Sequence, residues 1–476
     1  MYFLKSSHII YRDYPEFGYL TDNRSFGYDT AAKSSKKIGE RIISKVGSVF
    51  YSVLTEQPQT PAEIAEKLSK IFTDIPLSNL EEDALEFLCE LAGDGFVRQI
   101  EHTENIDGEV WFSYGNTVPF IIDESINNTV IEASDSKPFI DNRLTRLHLS
   151  VSSACNERCI HCYFPSHTKG EIMSKDLFSE IITQCKDLNV LNITISGGEP
   201  MLNPNLVFFI RLCRENNFSV NILSNLIFLN EDIIAEFKTT PLLCVQTSLY
   251  SMNEDAHDSI TGIKGSCVRT KNAIERLYAL NIPMQINCPI MKQNKESYKD
   301  VLNWAKSLNI EASGDYMLFG CFDGSRKNLQ CRLDLSEIKS LLIEDQGINI
   351  SDNKDETANR NSICPVCYSS LCISPSGKVY PCEGWQSYTL GDINSISIQE
   401  IWKNSSDVLA LRNLTIKDFP KCWNCKDREF CSICLIRNVN ESTTLDPKDV
   451  NPYFCSVANL KRQIKETNKC IDLRSI

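Results

Sequence analysis

Six times between Arg143 and residue 345 the chain alternates a short apolar, β-branched run with an amphipathic helical stretch. The runs are "RLHLSVSS", "NITISGG", "SVNILSN", "LLCVQTSLY", "MQINCPI" and "GDYMLFG". Segments such as "SKDLFSEIITQCKDL", "KGSCVRTKNAIERLYAL" and "NKESYKDVLNWAKSL" fill the gaps between them. Six strand–helix units in a row demand parallel strands with right-handed crossovers. The α/β fold is therefore a doubly wound sheet or a barrel, complete or partial, with ligands at the C-terminal strand ends. A last helix, "LSEIKSLLIEDQ", closes this unit at 143–345, and the polar "SDNKDETANRNS" predicts a linker over 346–363. Beyond it a Cys-rich domain, 364–476, is expected to be stapled by metal rather than by a large core.

Residues 1–100 read as a separate small unit. "HIIYRD" and "FGYLTD" predict strands, and "GERIISKVGSVFYSVLTE" has apolar residues at helical spacing. "TPAEIAEKL" opens a helix with Thr60 as N-cap, Pro61 at its first position and Glu63 closing a capping box. "SNLEEDALEFLCELAGDGF" repeats the device with Ser78 and Glu81, buries Leu80, Ala84, Phe87 and Leu91, and stops at Gly93. With a final "GFVRQI" strand the outline is winged-helix-like. The helix that would enter a DNA groove is acidic, and the net charge of −13 opposes phosphate-backbone binding, so no nucleic-acid partner is expected. Residues 101–142 read as an irregular connector with a strand at "EVWFSYG".

Lys5, Arg12 and Asp13 interrupt what would have to be an apolar signal core, and no run has the length of a membrane span. The expected location is the cytoplasm, with no membrane contact. In that reducing compartment 21 cysteines point to metal ligands or catalytic thiols rather than disulfides. Cys89, Cys185, Cys213, Cys244, Cys267, Cys288 and Cys470 fall singly on apolar elements and read as small buried hydrophobes.

Cys155, Cys159 and Cys162 share one loop, "SSACNERCIHCYFPS", directly after the first barrel strand. A structural zinc site takes four ligands, whereas three thiolates on a [4Fe–4S] cluster leave one iron open to an exogenous ligand. One unit later comes "SGGEP", with Gly197, Gly198, Glu199 and Pro200, where adjacent glycines allow close backbone approach.

These residues resemble the radical S-adenosylmethionine (SAM) enzymes. The cysteine loop with Tyr163 behind its last cysteine matches their signature, and "SGGEP" matches the motif that holds the methionine amino group of SAM. The resemblance implies a partial (β/α)6 barrel whose cluster cleaves SAM to a 5′-deoxyadenosyl radical. It implies SAM contacts at Gly197, Gly198 and Glu199, and at Ser224, Asn225, Gln246 and Ser248 for the ribose or carboxylate. The family often has Gly after that Asn, where this chain has Leu226.

The C-terminal cysteines resemble the SPASM domain: Cys367, Gly377 and Cys382, then Cys422, Cys425, Cys431, Cys434 and Cys455, with Cys434 one residue early. The resemblance implies two auxiliary [4Fe–4S] clusters, one on Cys364, Cys367, Cys382 and Cys434, the other on Cys422, Cys425, Cys431 and Cys455. A zinc ribbon built on Cys422/Cys425 and Cys431/Cys434 is the competing reading. Cys372 reads as core of a hairpin, and Cys321 and Cys331 as loop thiols near the sixth strand end.

Residues 1–100 resemble the PqqD-like domain with which ribosomal-peptide-modifying enzymes hold a leader peptide. An exposed strand edge accepts such a peptide as an added strand, and tethering raises the effective concentration of the remainder. The resemblances together imply a maturase of a ribosomally made precursor peptide, of the thioether-forming sactipeptide and ranthipeptide kind, served by a low-potential electron donor such as flavodoxin or ferredoxin. Carbon–carbon crosslinking or epimerisation of a precursor, formylglycine formation as in anaerobic sulfatase-maturating enzymes, and an iron–sulfur winged-helix regulator are the alternatives. No general base stands out among His148, His161, Asp315, Tyr316 and Cys321.

Overall fold

The computed structural model describes residues 1–22, 38–101, 143–164, 170–240, 242–344 and 363–472. The strand expected at "EVWFSYG", the linker "SDNKDETANRNS" and the side chain of Cys470 lie outside the described residues.

Strands Tyr2–Lys5 (β1), Ile9–Asp13 (β2), Phe17–Asp22 (β3), Glu40–Ser44 (β4) and Val97–Ile100 (β5) surround helices Lys45–Val53 (α1), Pro61–Ser69 (α2) and Leu77–Gly93 (α3). β1 pairs with β5, and β2, β3 and β4 form an antiparallel sheet in that order. The helix expected over 39–56 begins only at Lys45. Its first part is β4, because Ile43 lies opposite Gly18, where a Cβ would stand 2.7 Å from the Ile43 side chain. A cross-strand fit outweighs the local helical spacing. Ser44 then caps α1 by accepting from the Gly47 amide at 3.0 Å.

The capping box of α2 is present: Glu63 accepts from the Thr60 amide at 2.7 Å and Thr60 from the Glu63 amide at 3.2 Å. The second box, on Ser78 and Glu81, does not form. Extended Pro76 starts α3 earlier, its carbonyl taking the Asn79 and Leu80 amides, so Ser78 sits inside the helix. The buried stripe is Leu80, Ala84, Leu88 and Leu91, with Phe87 half-buried on its flank.

Strands Arg146–Ser152 (β6), Asn192–Gly197 (β7), Ser219–Leu223 (β8), Leu243–Ser248 (β9), Met284–Pro289 (β10) and Glu311–Asp315 (β11) run parallel in sequential order, the open sheet of a partial (β/α)6 barrel. Helices Lys175–Asp187 (α4), Leu206–Glu215 (α5), Glu231–Thr239 (α6), Glu254–Thr261 (α7), Ser266–Ala279 (α8), Tyr298–Ser307 (α9) and Leu335–Glu344 (α10) accompany them. The sixth strand precedes the expected "GDYMLFG". As an edge strand paired only with β10 it alternates exposed and half-buried residues, and the apolar run after it lines the site described below.

Strands Ser370–Ile373 (β12), Lys378–Tyr380 (β13) and Gly391–Asp392 (β14) extend the same sheet, with β12 parallel to β6, so nine strands are continuous. Cys372 is fully buried in this hairpin. Helices Ile398–Asn404 (α11), Ser406–Arg412 (α12), Leu435–Val439 (α13) and Pro452–Asp472 (α14) complete the domain. Here the expectation of a metal-stapled domain without a large core is corrected. Leu371, Ile373, Val379, Trp385, Ile401 and Trp402 join Leu147, Leu149 and Ile193 in one apolar core, because β12 places its inner face over the barrel's first strand.

Arg12 seats the N-terminal unit on the barrel. Its Nε donates to the Val190 carbonyl at 2.8 Å and Nη1 to the Asn217 carbonyl at 3.0 Å, and its guanidinium lies 4.8 Å from the Phe218 ring centre. Ile10, Tyr14, Phe17 and Tyr19 close around Leu191 and Leu242. Replacing Arg12 by Ala strands two carbonyls and is expected to cost about 3 kcal/mol at this junction. Limited proteolysis should then release the N-terminal unit earlier than in wild type.

Candidate functional site

The loop after β6 carries Cys155, Cys159 and Cys162 at the C-terminal edge of the sheet, where parallel α/β folds place their ligands. It is fastened to the end of α7: the Arg158 amide donates to the Thr261 carbonyl at 2.8 Å and the Ile160 amide to the Ile260 carbonyl at 2.9 Å. Cys155 and Cys159 are half-buried and Cys162 is exposed. Glu157 accepts from the Cys159 thiol at 3.2 Å. Burial pushes the Cys155 thiol up to about 12 and, with the Glu157 carboxylate adding to the effect, raises that of Cys159 well above its ordinary value. Burial likewise raises Glu157 to about 7 and lowers His161, which meets the Tyr250 hydroxyl at 3.4 Å, to about 4.

Gly197, at φ 129°, and Gly198 let the end of β7 lie on the root of this loop. A Cβ on Gly197 would stand 2.1 Å from the Ser152 carbonyl oxygen, and one on Gly198 2.3 Å from that of Ala154. The Gly198 amide donates to Ser152 at 2.7 Å and the Glu199 amide to Ala154 at 2.8 Å. What these glycines admit is first the cysteine loop's own backbone. Glu199 is fully buried and braces the next strand end. It accepts from the Met201 amide at 2.9 Å, the Ser224 hydroxyl at 2.7 Å and the Asn225 amide at 2.9 Å. Pro200 starts the short helical turn that follows. Asn225 in turn donates to Asn156 inside the cysteine loop at 3.0 Å. Leu226 adopts φ 63°, the conformation for which Gly is suited. Its strain of about 1 kcal/mol is offset by full burial of the side chain, about 2 kcal/mol.

Gln246 and Ser248 lie half-buried at the end of β9, where the Gln246 carbonyl accepts from the Ser224 amide at 3.0 Å. The Gln246 carboxamide makes no hydrogen bond to the described residues. On the opposite side Tyr163 stacks against Phe319 with ring centres 5.2 Å apart and hydrogen-bonds Glu383. Glu383 also accepts from Ser196 at 2.8 Å and lies 2.9 Å from His148, bonds that hold its carboxyl below the ordinary value against the opposing effect of burial. His148 therefore faces the barrel interior, over a cavity of about 170 Å³ lined by Asn192, Thr194, Asn221 and Cys382. Cys321 meets the Cys162 carbonyl at 3.5 Å, whereas Cys331 packs with Tyr250 and Ile260. Tyr316 is buried, and Asp315 ends β11.

In the C-terminal domain the thiols of Cys364, Cys367 and Cys382 act electrostatically on one another, and Cys434 acts on Cys364 and Cys382. Cys422, Cys425, Cys431 and Cys455 form a second such group. Burial, as the main cause, and neighbouring thiols push Cys364 to about 11 and Cys382 to about 12. Thiols raised by burial, such as Cys155, Cys367 and Cys382, ionise readily only with a cationic centre among them, and thiol-only donor sets of three or four suit iron–sulfur clusters.

Residues 149–305 match the radical SAM superfamily and residues 364–426 the iron–sulfur cluster-binding SPASM domain. The chain carries a radical SAM domain followed by a SPASM domain. Its cofactors are SAM, a [4Fe–4S] cluster in the barrel and auxiliary iron–sulfur clusters. It is similar to the AdoMet-dependent heme synthase of Methanosarcina barkeri (24% identity over 64% of this chain and 94% of that protein). The subtilosin biosynthesis protein AlbA of Bacillus subtilis shares 25% identity over 61% of this chain and 67% of its own length. The fold matches Streptococcus suis SuiB bound to precursor peptide SuiA, with TM-score 0.59 and 16% identity over 94% of this chain and 98% of that one. The described residues contain no helix long and apolar enough to cross a membrane.

Glu157, Asn156 and Glu383 escaped the sequence reading. Glu157 and Asn156 lie inside the cysteine motif and Glu383 directly follows Cys382, so proximity to a thiol was their one signal. Glu199→Gln keeps the shape but turns a donor toward one of three donors, and is expected to cost about 2 kcal/mol. Burial lifts the Glu199 carboxyl from its ordinary 4.5 to about 7. Ionisation in that window is easier unfolded than folded, so its contribution is full below pH 4.5 and lost as pH rises through 7. The stability difference between wild type and the Gln variant, followed by denaturant titration of the metal-free chain, should narrow over that rise.

Proposed function

We propose that this enzyme matures a ribosomally made precursor peptide, holding its leader on residues 1–100 and forming a thioether between a peptide Cys sulfur and a carbon of another residue. The observation that carries the reading is the N-terminal sheet. Its β2 edge is closed by the barrel, where the Tyr11 amide donates to Asn217 at 3.0 Å, while its β4 edge has no strand partner among the described residues. Arg41 on β4 pairs with Glu90 and Asp94 at the end of α3, so this strand edge runs beside that helix. An extended leader adds to such an edge through main-chain hydrogen bonds. The likeness to peptide-bound SuiB over nearly the whole chain supports this layout.

Cys155, Cys159 and Cys162 would hold the SAM cluster, and Gly197, Gly198, Glu199, Pro200, Ser224, Asn225, Gln246, Ser248 and Tyr163 the wall on which SAM lies. The bound cofactors supply a 5′-deoxyadenosyl radical for hydrogen abstraction. The chain's part is to orient and shield. Glu199 fixes the ends of β7 and β8, Asn225 ties them to the cysteine loop, and Tyr163 and Phe319 cover it from the SPASM side. The groups at Cys364, Cys367, Cys382 and Cys434 and at Cys422, Cys425, Cys431 and Cys455 would hold two auxiliary clusters. The inner group adjoins Tyr163 through Cys382, so a cluster held there would supply an electron acceptor on the SPASM side of the cysteine loop. Loss of one carbon-bound hydrogen and one thiol proton leaves the peptide two electrons more oxidised, one taken by the deoxyadenosyl radical with the hydrogen atom and the other a surplus electron that the auxiliary clusters would accept. Domain limits of 143–345 and 364–476 for barrel and SPASM domain, and a cytoplasmic location, belong to the same reading.

Iron analysis of the anaerobically reconstituted chain should give about twelve irons per molecule, falling to about eight in the Cys155/Cys159/Cys162→Ala triple variant with loss of 5′-deoxyadenosine formation. With a Cys-containing precursor peptide, SAM and dithionite, mass spectrometry should show loss of two hydrogens together with one alkylatable thiol. Loss of the hydrogens with every thiol retained would replace the thioether by a carbon–carbon crosslink.

A further inference from the structure

The chain is acidic overall, at −13, yet the segment that carries Cys422 and Cys425 is rich in exposed cations. Cys425 and Cys455 are exposed, whereas Cys367 of the inner group is buried. Lys417, Lys421, Lys426 and Arg428 are all exposed on the same short segment. The carboxylates interleaved with them are engaged elsewhere: Asp418 with Lys448 at 3.8 Å, Asp427 with Arg462 at 2.5 Å and Glu429 with Lys465 at 3.3 Å. Lys417, Lys421, Lys426 and Arg428 therefore have no ion-pair partner among the described residues. Lys421 and Arg428 act on the Cys422 thiol and Lys421 on that of Cys455, so these two cations stand close to the thiol group itself. Trp423, 47% exposed, stands among them with the Lys417 ammonium 5.8 Å from its ring centre.

Chain connectivity leads inward from this group. Cys431 and Cys434 are three positions apart and belong to the outer and inner groups, and Cys382 of the inner group acts on Tyr163, next to Cys162. We propose that Lys417, Lys421, Lys426 and Arg428, with Trp423 at their centre, form the docking surface for an acidic one-electron donor protein of the flavodoxin or ferredoxin class. The outer cysteine group is then the port by which electrons enter. One electron leaves the donor's reduced flavin or iron–sulfur centre and enters the cluster on Cys422, Cys425, Cys431 and Cys455, and no bond is made or broken. The surface rests on the assignment of that cluster under the proposed function. Charge complementarity of this kind steers encounter and sets its salt dependence.

The test uses the reconstituted full chain and reduced flavodoxin. Binding is read by fluorescence and cluster reduction by stopped-flow absorbance, at rising ionic strength. Wild type should lose affinity and rate about tenfold as salt screens the patch. The Lys417→Glu/Lys421→Glu/Lys426→Glu/Arg428→Glu variant should show a comparable loss at low salt. The Lys→Arg and Arg428→Lys counterpart should not, and dithionite-supported SAM cleavage should be unchanged in both. Salt-independent docking by wild type, which needs no variant, overturns the proposal, as does equal binding and reduction of the reversed variant. Absence of deoxyadenosine from wild type with dithionite would instead sink the enzymatic reading, because the donor's dissociation constant is measured apart from turnover.

Discussion

A carbon atom added at Gly197 would fall 2.1 Å from the Ser152 carbonyl oxygen, and one at Gly198 2.3 Å from that of Ala154. Neither distance is tolerable for non-bonded atoms, so the first two barrel strands end in mutual contact only because both residues are bare. Everything at the site follows from that contact. It places Glu199 where its carboxylate reaches Ser224 and Asn225 on the third strand, and it places Asn225 where it reaches Asn156 between the cysteines. Three strand ends and one loop are thereby held as a single rigid rim. Pre-set backbone of this kind spares a ligand from ordering its own site.

The electrostatics of the rim run against the groups that line it. Buried thiols and buried carboxylates both resist ionisation, and here Cys155, Cys159, Glu157 and Glu199 all have raised values within one small volume. An assembly of acids with so little compensating positive charge is stable only while its members stay protonated or gain a cationic partner. An iron–sulfur cluster provides such a partner to the thiols, while Glu199 is satisfied by three donors of the chain itself.

How much of this could be read in advance depended on distance along the chain. The barrel strands announce themselves because each is a local apolar run, and the capping box on Thr60 and Glu63 is complete within four residues. The first part of the expected helix over 39–56 became β4 because its partner, Gly18, lies more than twenty residues away. Ser78 lost its capping role to Pro76, two positions earlier, whose extended backbone was the stronger signal. The sixth strand was misplaced because an edge strand needs no apolar pattern, while the apolar run after it serves the site. The cysteine loop and "SGGEP" were legible as motifs. Glu383 was not, since its partners Ser196, His148 and Tyr163 belong to another domain and leave no periodicity behind. The shared core between barrel and C-terminal domain was hidden for the same reason: β12 pairs with a strand more than two hundred residues upstream.

That pairing has a bearing on how the chain is made. β6 lies between β7 and β12 in the finished sheet, and its edge toward β12 is filled only by Ser370–Ile373. While the ribosome is still synthesising the intervening segment, the strand that carries the cysteine loop keeps one row of backbone groups unpaired. A nascent barrel therefore exposes an adhesive edge at the root of its three-cysteine loop until residue 373 has emerged. Crowding therefore threatens the protein at that stage, and slower synthesis favours pairing of this edge with its own chain over a neighbour's.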